Sequence, residues 1–435
     1  AILEAAGKSA HRVRHANQAF GVLWRAAMEA MTPPRGPVSV EIPIDIQRAT
    51  IARPAALDTL ELPVPPPLPP SEAALDELAD RLASAKRPMI WLGNGAREAR
   101  AGALALIELG FGCVNSWNGR GIVPEDHPMT LGAMHGNGSP RVQEFYGTVD
   151  AMVVLGSRLR GHETQDGSQK LPANLIHVDV DPAADGRTYP NSLLVQGDAE
   201  LVAQGLARRL KGRLHTDPAF PADLAETKRR AVEEFLATLG PYHGFCEQLR
   251  AVMPRDALWV RDITMSNTTW GNRVFPIYGP RDAVHPVGAA IGPGLPLGIG
   301  AAMGAQGRKT VAMVGDGGFA MNMSELWTAV QERARLCTIV MNDRGYGVIR
   351  VIQDAVVDGR RFGDDLLGPD LGQLAAVAGL PHFKVSRAED FGAVVAQALE
   401  VDGPTLVEVD MVAIGPFPPY APYTTMGKHA ERARR

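Results

Sequence analysis

Short, largely apolar runs punctuate this chain at Met89 to Leu92, Ala151 to Leu155, Leu175 to Val180, Val311 to Val314 and Cys337 to Met341. Each has the length of a strand, and all but Leu175 to Val180, which carries His177 and Asp179, are nearly free of polar residues, the pattern of strands buried on both sides of a parallel sheet. Helix-length segments stand between them, an amphipathic one at Glu72 to Ala85 and another at about Ala96 to Leu109. Strands alternating with helices predict βαβ units and an α/β fold built from parallel-sheet layers. A charged helical stretch follows at Ala222 to Leu239, and a further set of helices and strands runs from Gly244 to about Val409. The first fifty residues are poorer, with one helix at Gln18 to Met31 and one strand at Val38 to Ile42.

The breaks in this pattern suggest an organisation. Arg53 to Pro70 carries seven prolines, too many for a helix or a central strand, and reads as an extended surface linker. The expected division is 1–52, a linker at 53–70, a middle α/β domain at 71–210, a helical linker at 211–240 and a last domain at 241–435. An α/β domain typically needs on the order of 100 residues, so 1–52 is expected to be the closing part of a domain whose front lies elsewhere.

Composition narrows the function classes. At 435 residues, 45% hydrophobic and 21% charged, the chain has the material for about three soluble domains. A net charge of −4 without a basic cluster argues against nucleic acid as the main partner. No run approaches the ~20 apolar residues of a membrane span, and the N-terminal residues lack a signal-peptide layout, which leaves the cytoplasm as the expected location. Cys113, Cys246 and Cys337 are scattered and odd in number, so they read as core residues rather than a disulfide frame or zinc site.

The chemistry concentrates in one stretch. The run Val311 to Val314 delivers Gly315, Asp316, Gly317 and Gly318 to the carboxyl edge of a sheet, where ligands of open α/β folds sit. The two glycines let the backbone close around an anion, together with the start of a helix expected at about Asn322. The run Cys337 to Met341 then brings Asn342 and Asp343 to the same edge, 27 residues after Asp316. Two hard oxygen ligands plus a backbone carbonyl suit Mg²⁺, which takes its remaining ligands from phosphate and water.

This spacing resembles the signature of thiamine diphosphate enzymes, Gly-Asp-Gly followed about thirty residues later by Asn-Asn or Asn-Asp. Two further segments resemble the acetolactate synthase-like branch of the thiamine diphosphate-dependent 2-oxo acid decarboxylases and carboligases. They are Gly36 to Asp45 at the close of the first domain, and Ile176 to Pro182 with Gly197-Asp198 in the middle domain. The resemblance implies the thiamine diphosphate-binding fold of three-layer parallel-sheet domains with a Rossmann-like middle domain. It makes 1–52 the C-terminal remnant of a pyrimidine-binding domain and 241–435 the diphosphate-binding domain. It implies thiamine diphosphate and Mg²⁺ as cofactors, a 2-oxo acid substrate, and a homodimer or homotetramer with the site at a subunit interface. Asp316, Asp343 and the Gly345 carbonyl would hold the metal, with Gly315, Gly317, Gly318 and Tyr346 around the diphosphate. Thr264 would offer the diphosphate a hydroxyl, with Ser266, Thr268 and Thr269 as alternatives. In Val287 to Gly300, Ile291 takes the place of the apolar wedge that bends the cofactor, and Ala289 the carbonyl that meets its aminopyrimidine. The bend brings two reacting groups of the cofactor together, a proximity effect. The family's catalytic glutamate has no counterpart among Glu4, Glu29 and Glu41, so the catalytic residue is unassigned, with His285 as a possible contributor.

Other features point elsewhere or nowhere. Gly93-Asn94-Gly95 is expected to be a strand-to-helix turn rather than a dinucleotide loop, since a third glycine is missing. Leu131 to Gly136 and Gly156 to Arg160 lack the Phe-Asp-Asp-Arg associated with flavin-containing relatives, so FAD is not expected. His11 and His15, four apart, read as solvated helix residues without a third metal ligand. Gly347 to Asp365 and the tail Ile414 to His429 are expected to be covers over the site. Val348 to Gln353 replaces a tryptophan-bearing stretch, which bears on substrate choice. A catalytically silent, structural or regulatory homologue is the alternative reading.

Overall fold

Thirteen strands divide among three wholly parallel sheets in the computed structural model, which describes residues 2–59, 64–135, 139–190 and 193–419. The first sheet pairs only β1 (Ser9–Arg12) with β2 (Val38–Glu41), beside a helix at Ala19–Met31. The sequence pattern missed β1, because Ser-Ala-His-Arg shows neither apolar alternation nor strand-forming side chains. His11 therefore lies on a strand and not on a helix. Its Nε2 is 2.7 Å from Glu29, whose carboxylate also accepts from the Ser9 hydroxyl. His15 precedes a short 3₁₀ turn at Ala16–Gln18.

The middle sheet comprises β3 (Pro88–Leu92), β4 (Gly112–Asn115), β5 (Ala151–Leu155), β6 (Asn174–Asp179) and β7 (Leu193–Gln196), in the order β4-β3-β5-β6-β7. Every residue of β3, β4 and β5 is buried, as the apolar runs require. Helices Glu72–Leu82 and Ala199–Leu210 lie against one another, and Arg100–Glu108 also contacts the latter. Ser71 and Asp198 cap the first two through their side-chain oxygens, a contribution of roughly 1 kcal/mol each. The proline-rich segment ends on this unit: Asp198 donates its N–H to the Leu68 carbonyl at 2.8 Å. Helix Phe220–Ala237 follows, its Phe220 ring stacked on Phe145.

The last sheet holds β8 (Leu258–Arg261), β9 (Ala283–Val284), β10 (Thr310–Gly315), β11 (Leu336–Asn342), β12 (His382–Val385) and β13 (Thr405–Asp410), in the order β12-β13-β11-β10-β8-β9. Trp259, Trp270 and Phe275 fill one face. Phe245 stacks on Phe391 within the same buried cluster. The seam with the middle unit is held by a buried ion pair, Arg120 to Glu125 at 2.6 Å, and both partners reach across it. Arg120 donates to the Gly271 carbonyl, and Glu125 accepts from Ile277 N–H. All three cysteines are buried and unbridged. Among the described residues, no helix is long and apolar enough to cross a membrane.

Candidate functional site

Strand order decides where a crevice can open. From β8 the chain goes outward to β9 and then returns to β10 on the other side of β8, so the turns after β8 and β10 diverge at the carboxyl edge. There the structure has a cleft with about 430 Å³ of empty space, part of it open solvent at the mouth. Its walls come from the turns after β8 (Ile263, Thr264, Met265, Ser266), β10 (Gly315, Asp316, Gly317, Gly318) and β11 (Asp343, Gly345, Tyr346), joined by Ile291. Apolar side chains of Met265, Met341, Val348, Ile349 and Met411 complete the lining. Residues named from sequence separations of up to 82 positions, Thr264 to Tyr346, thus meet in one place.

The turn after β10 differs from the expectation. Helix Asp316–Met321 begins on Asp316 itself, and a second helix, Glu325–Gln331, follows; a start at Asn322 is therefore incorrect. Gly315 precedes the first helix and, having no side chain, gives it no cap; the Gly317 N–H turns to the Asp316 carboxylate instead. Gly317 has no room for a Cβ, which would fall 2.5 Å from the Tyr346 ring.

Asp316 and Asp343 face one another across the cleft floor. Burial, and then the Asp343 charge, push the Asp316 carboxyl up to about 7, and burial raises Asp343 as well. The second carboxylate is partly offset by Arg350, whose Nη1 lies 3.8 Å from Asp343 Oδ2. Gly345 donates its N–H to Asp316 at 2.9 Å. The same turn is braced from behind: Arg350 donates to Asp364 at 3.0 Å and to the carbonyls of Asp343 and Arg344. A Cβ on Gly345 would collide with that guanidinium and with the Asp364 carbonyl. The segment expected to cover the site begins as a helix, Gly347–Val356, and returns at 364–366 to pair with the turn after β11, Tyr346 N–H to Asp364 O at 2.8 Å. The tail beyond residue 419, like Gly136 of the Leu131 stretch, lies outside the described residues.

The hydroxyls near β8 separate. Thr264 Oγ1 accepts from Asn267 N–H at 3.0 Å, and Thr269 Oγ1 donates to the Met265 carbonyl at 2.6 Å. Ser266 lines the cleft, its buried Oγ without a hydrogen-bond partner among the described residues, while Thr268 does not line it. A buried hydroxyl left unpaired is costly, so Ser266 is the group with unspent capacity. Ile291 lines the cleft, whereas Ala289 is exposed outside it in a left-handed conformation, φ 57°. His285 follows β9 and is not among the lining residues. Burial, then Arg261, Arg160 and other nearby guanidiniums, depress its pKa to about 3, which keeps the ring neutral. The sequence reading missed Asp262, a fully buried carboxylate under the cleft, because an acid at a strand end carries no signal without its partners.

A parallel-sheet fold with an acidic, glycine-floored cleft at its switch point defines a cofactor-binding α/β protein. Residues 262–409 match the model of the thiamine pyrophosphate enzyme C-terminal TPP binding domain, and residues 75–206 match that family's central domain. The chain belongs to the thiamine pyrophosphate (thiamine diphosphate) enzyme family. It is 32% identical to the probable 2-ketoarginine decarboxylase AruI of Pseudomonas aeruginosa, over 84% of this chain and 63% of that protein. It is 26% identical to the acetolactate synthase isozyme 1 large subunit of Escherichia coli, covering 92% of this chain and 72% of the relative. To benzoylformate decarboxylase of Pseudomonas aeruginosa it is 28% identical, covering 94% and 77%. The chain thus spans about two thirds to three quarters of these relatives' lengths.

Proposed function

We propose that this chain carries the diphosphate-binding half of an enzyme that uses thiamine diphosphate and Mg²⁺ to decarboxylate a 2-oxo acid, to ligate the product to a second carbonyl compound, or both. The observation that carries the reading is the facing pair Asp316 and Asp343 beside the orphaned Ser266 hydroxyl. Two buried carboxylates in contact repel unless they share a proton or a cation joins them, and a diphosphate oxygen would satisfy Ser266. Asp316, Asp343 and the Gly345 carbonyl would hold Mg²⁺. Ser266 or Thr264, with Gly315, Gly317 and Gly318, would receive the diphosphate, and Tyr346 would wall it. Ile291 would press on the bend, and the Ala289 carbonyl would meet the aminopyrimidine.

When bound, the cofactor supplies an electron sink for loss of CO₂. The chain's own residues orient and shield: the Met265, Met341, Val348, Ile349 and Met411 side chains give an apolar wall that excludes water and strengthens the electrostatics inside. The glutamate of the reaction would come from the first domain of a partner subunit, making a homodimer or homotetramer the active assembly. A cytoplasmic location, with no flavin, membrane or nucleic-acid partner, belongs to the same proposal.

A thermal melt with thiamine diphosphate alone, Mg²⁺ alone and both tests this. At about 100 times Kd, binding adds roughly 2.7 kcal/mol, so the midpoint should rise with both ligands together. No rise under any condition would favour the catalytically silent homologue.

A further inference from the structure

Directly beneath the cleft, the end of β8 carries a carboxylate that the proposed chemistry does not use. Asp262 is wholly buried. Its Oδ1 accepts from its neighbour Ile263 N–H at 2.6 Å, its two oxygens share Gly292 N–H at 3.1 and 3.0 Å, and Oδ2 accepts from Gly294 N–H at 3.1 Å. The backbone of Asp262 is itself pinned: its N–H donates to Met313 O at 3.0 Å, and Asn267 Nδ2 donates to its carbonyl at 2.9 Å. A buried carboxylate is expensive unless hydrogen-bonded, and these donors are what hold it there.

Gly292 and Gly294 are the residues just beyond Ile291, and Gly294 opens the helix Gly294–Gly304. A negative charge at this helix start is favourable. Gly292 has φ 111°, reached easily only by glycine, and its carbonyl accepts from Asn322 Nδ2 at 3.0 Å. The turn bearing Ile291 is therefore gripped on its N–H side by Asp262 and on its carbonyl side by Asn322. The carboxylate also underlies the glycine floor: a Cβ on Gly318 would lie 2.9 Å from Asp262 Oδ2 and 3.3 Å from Ile291 Cγ2.

We propose that Asp262 is a positioning residue whose carboxylate fixes the turn carrying Ile291, and so governs how the rings of a bound cofactor are seated rather than how its diphosphate is held. This inference rests on the cofactor reading above. It is tested by calorimetric titration of the full-length protein and its Asp262→Asn variant with Mg²⁺ plus thiamine diphosphate, and separately with Mg²⁺ plus inorganic pyrophosphate. Asparagine keeps the shape but turns one acceptor into a donor facing the glycine N–H groups.

Thiamine diphosphate affinity should fall about tenfold or more, the scale of a lost charge-assisted bond, while pyrophosphate affinity stays within about twofold. Ile291→Ala, which trims the wedge and leaves the carboxylate bonded, should show the same split. Equal losses for both ligands, as a merely structural role would give, or no loss for either, overturn the inference. Should the asparagine variant not fold, amide exchange of Gly292 and Gly294 in the wild-type protein decides: slow exchange supports the clamp and rapid exchange overturns it. A wild-type protein that binds neither ligand overturns the cofactor reading itself, and this inference with it.

Discussion

The middle and last sheets are built alike, yet among the described residues the last presents an acidic cleft at its switch point and the middle one does not. In each, the first strand is flanked by the second on one side and the third on the other, so both have a switch point where a crevice is expected. Between β3 and β5 the two turns close on each other. Gly95 donates its N–H to the Gly156 carbonyl at 2.9 Å, and a Cβ on Gly93 would collide with that carbonyl. The glycines there make room for backbone. Between β8 and β10 the turns leave a cleft: Thr264 and Gly315 lie side by side in its lining, a Cβ on Gly315 reaching 3.2 Å from Thr264 Cγ2, and Asp316 and Asp343 add two carboxylates. Glycine-rich turns and topology are common to both regions, and the difference is whether the space the glycines leave is filled by the chain itself.

The comparison can be broken most severely at Asp316. Asp316→Ala should abolish the joint stabilisation by thiamine diphosphate and Mg²⁺, about 2.7 kcal/mol at saturating ligand, without lowering the midpoint of the ligand-free protein. A retained shift would remove Asp316 from the metal site. At the other switch point the effect should reverse. Gly95→Ala places a Cβ 2.9 Å from the Gly156 backbone, and overpacking of this kind costs roughly 1–3 kcal/mol. Chemical denaturation should show that loss while the ligand-induced shift persists.

Smaller changes sharpen the picture. Ser266→Ala should weaken thiamine diphosphate binding by about 1 kcal/mol, the worth of one hydrogen bond, and leave the ligand-free protein no less stable, since its hydroxyl is already unpaired. Asp343→Asn should retain cofactor binding and reduce its dependence on Mg²⁺, because one negative charge beside the diphosphate is gone; an unchanged metal titration would contradict it. The smallest effect concerns the middle unit, where burial raises the pKa of Glu163. The folded protein then keeps this proton at pH values where the unfolded chain has lost it, so stability falls as pH rises above about 4.5 towards the folded pKa. Glu163→Gln should flatten that slope in melts across pH 4 to 7.

Legibility followed the physical source of each signal. The strand at Ala151–Leu155 was readable to the residue, and those at Thr310–Gly315 and Leu336–Asn342 to within one residue. Apolar side chains buried on both faces leave a mark in the sequence. β1 left none, since its Ser-Ala-His-Arg is a strand only because β2 lies beside it, and this also made His11 look helical. Helices Pro140–Tyr146 and Ala199–Leu210 also went unread, although the Ser139 and Asp198 caps were signals for them. Among candidate site residues, Asp316 and Asp343 were legible as partners from residue type and spacing, and Gly345 from the resemblance; all three line the cleft. The choice between Thr264 and Ser266 was not, because it depends on which hydroxyl the neighbouring N–H groups already occupy.

The amino-acid order by itself determined the parallel α/β layers, the family and the acidic turn pair, since each rests on local hydrophobic pattern or on chemically demanding residues at fixed separation. Tertiary structure alone decided that one switch point is filled and the other open, that Asp316 and Asp343 come close enough to disturb each other's protons, and that Asp262 grips a turn thirty residues away. Those outcomes depend on distances between segments remote in the chain, and hydrogen bonds and charge coupling are set by distance, not by sequence separation.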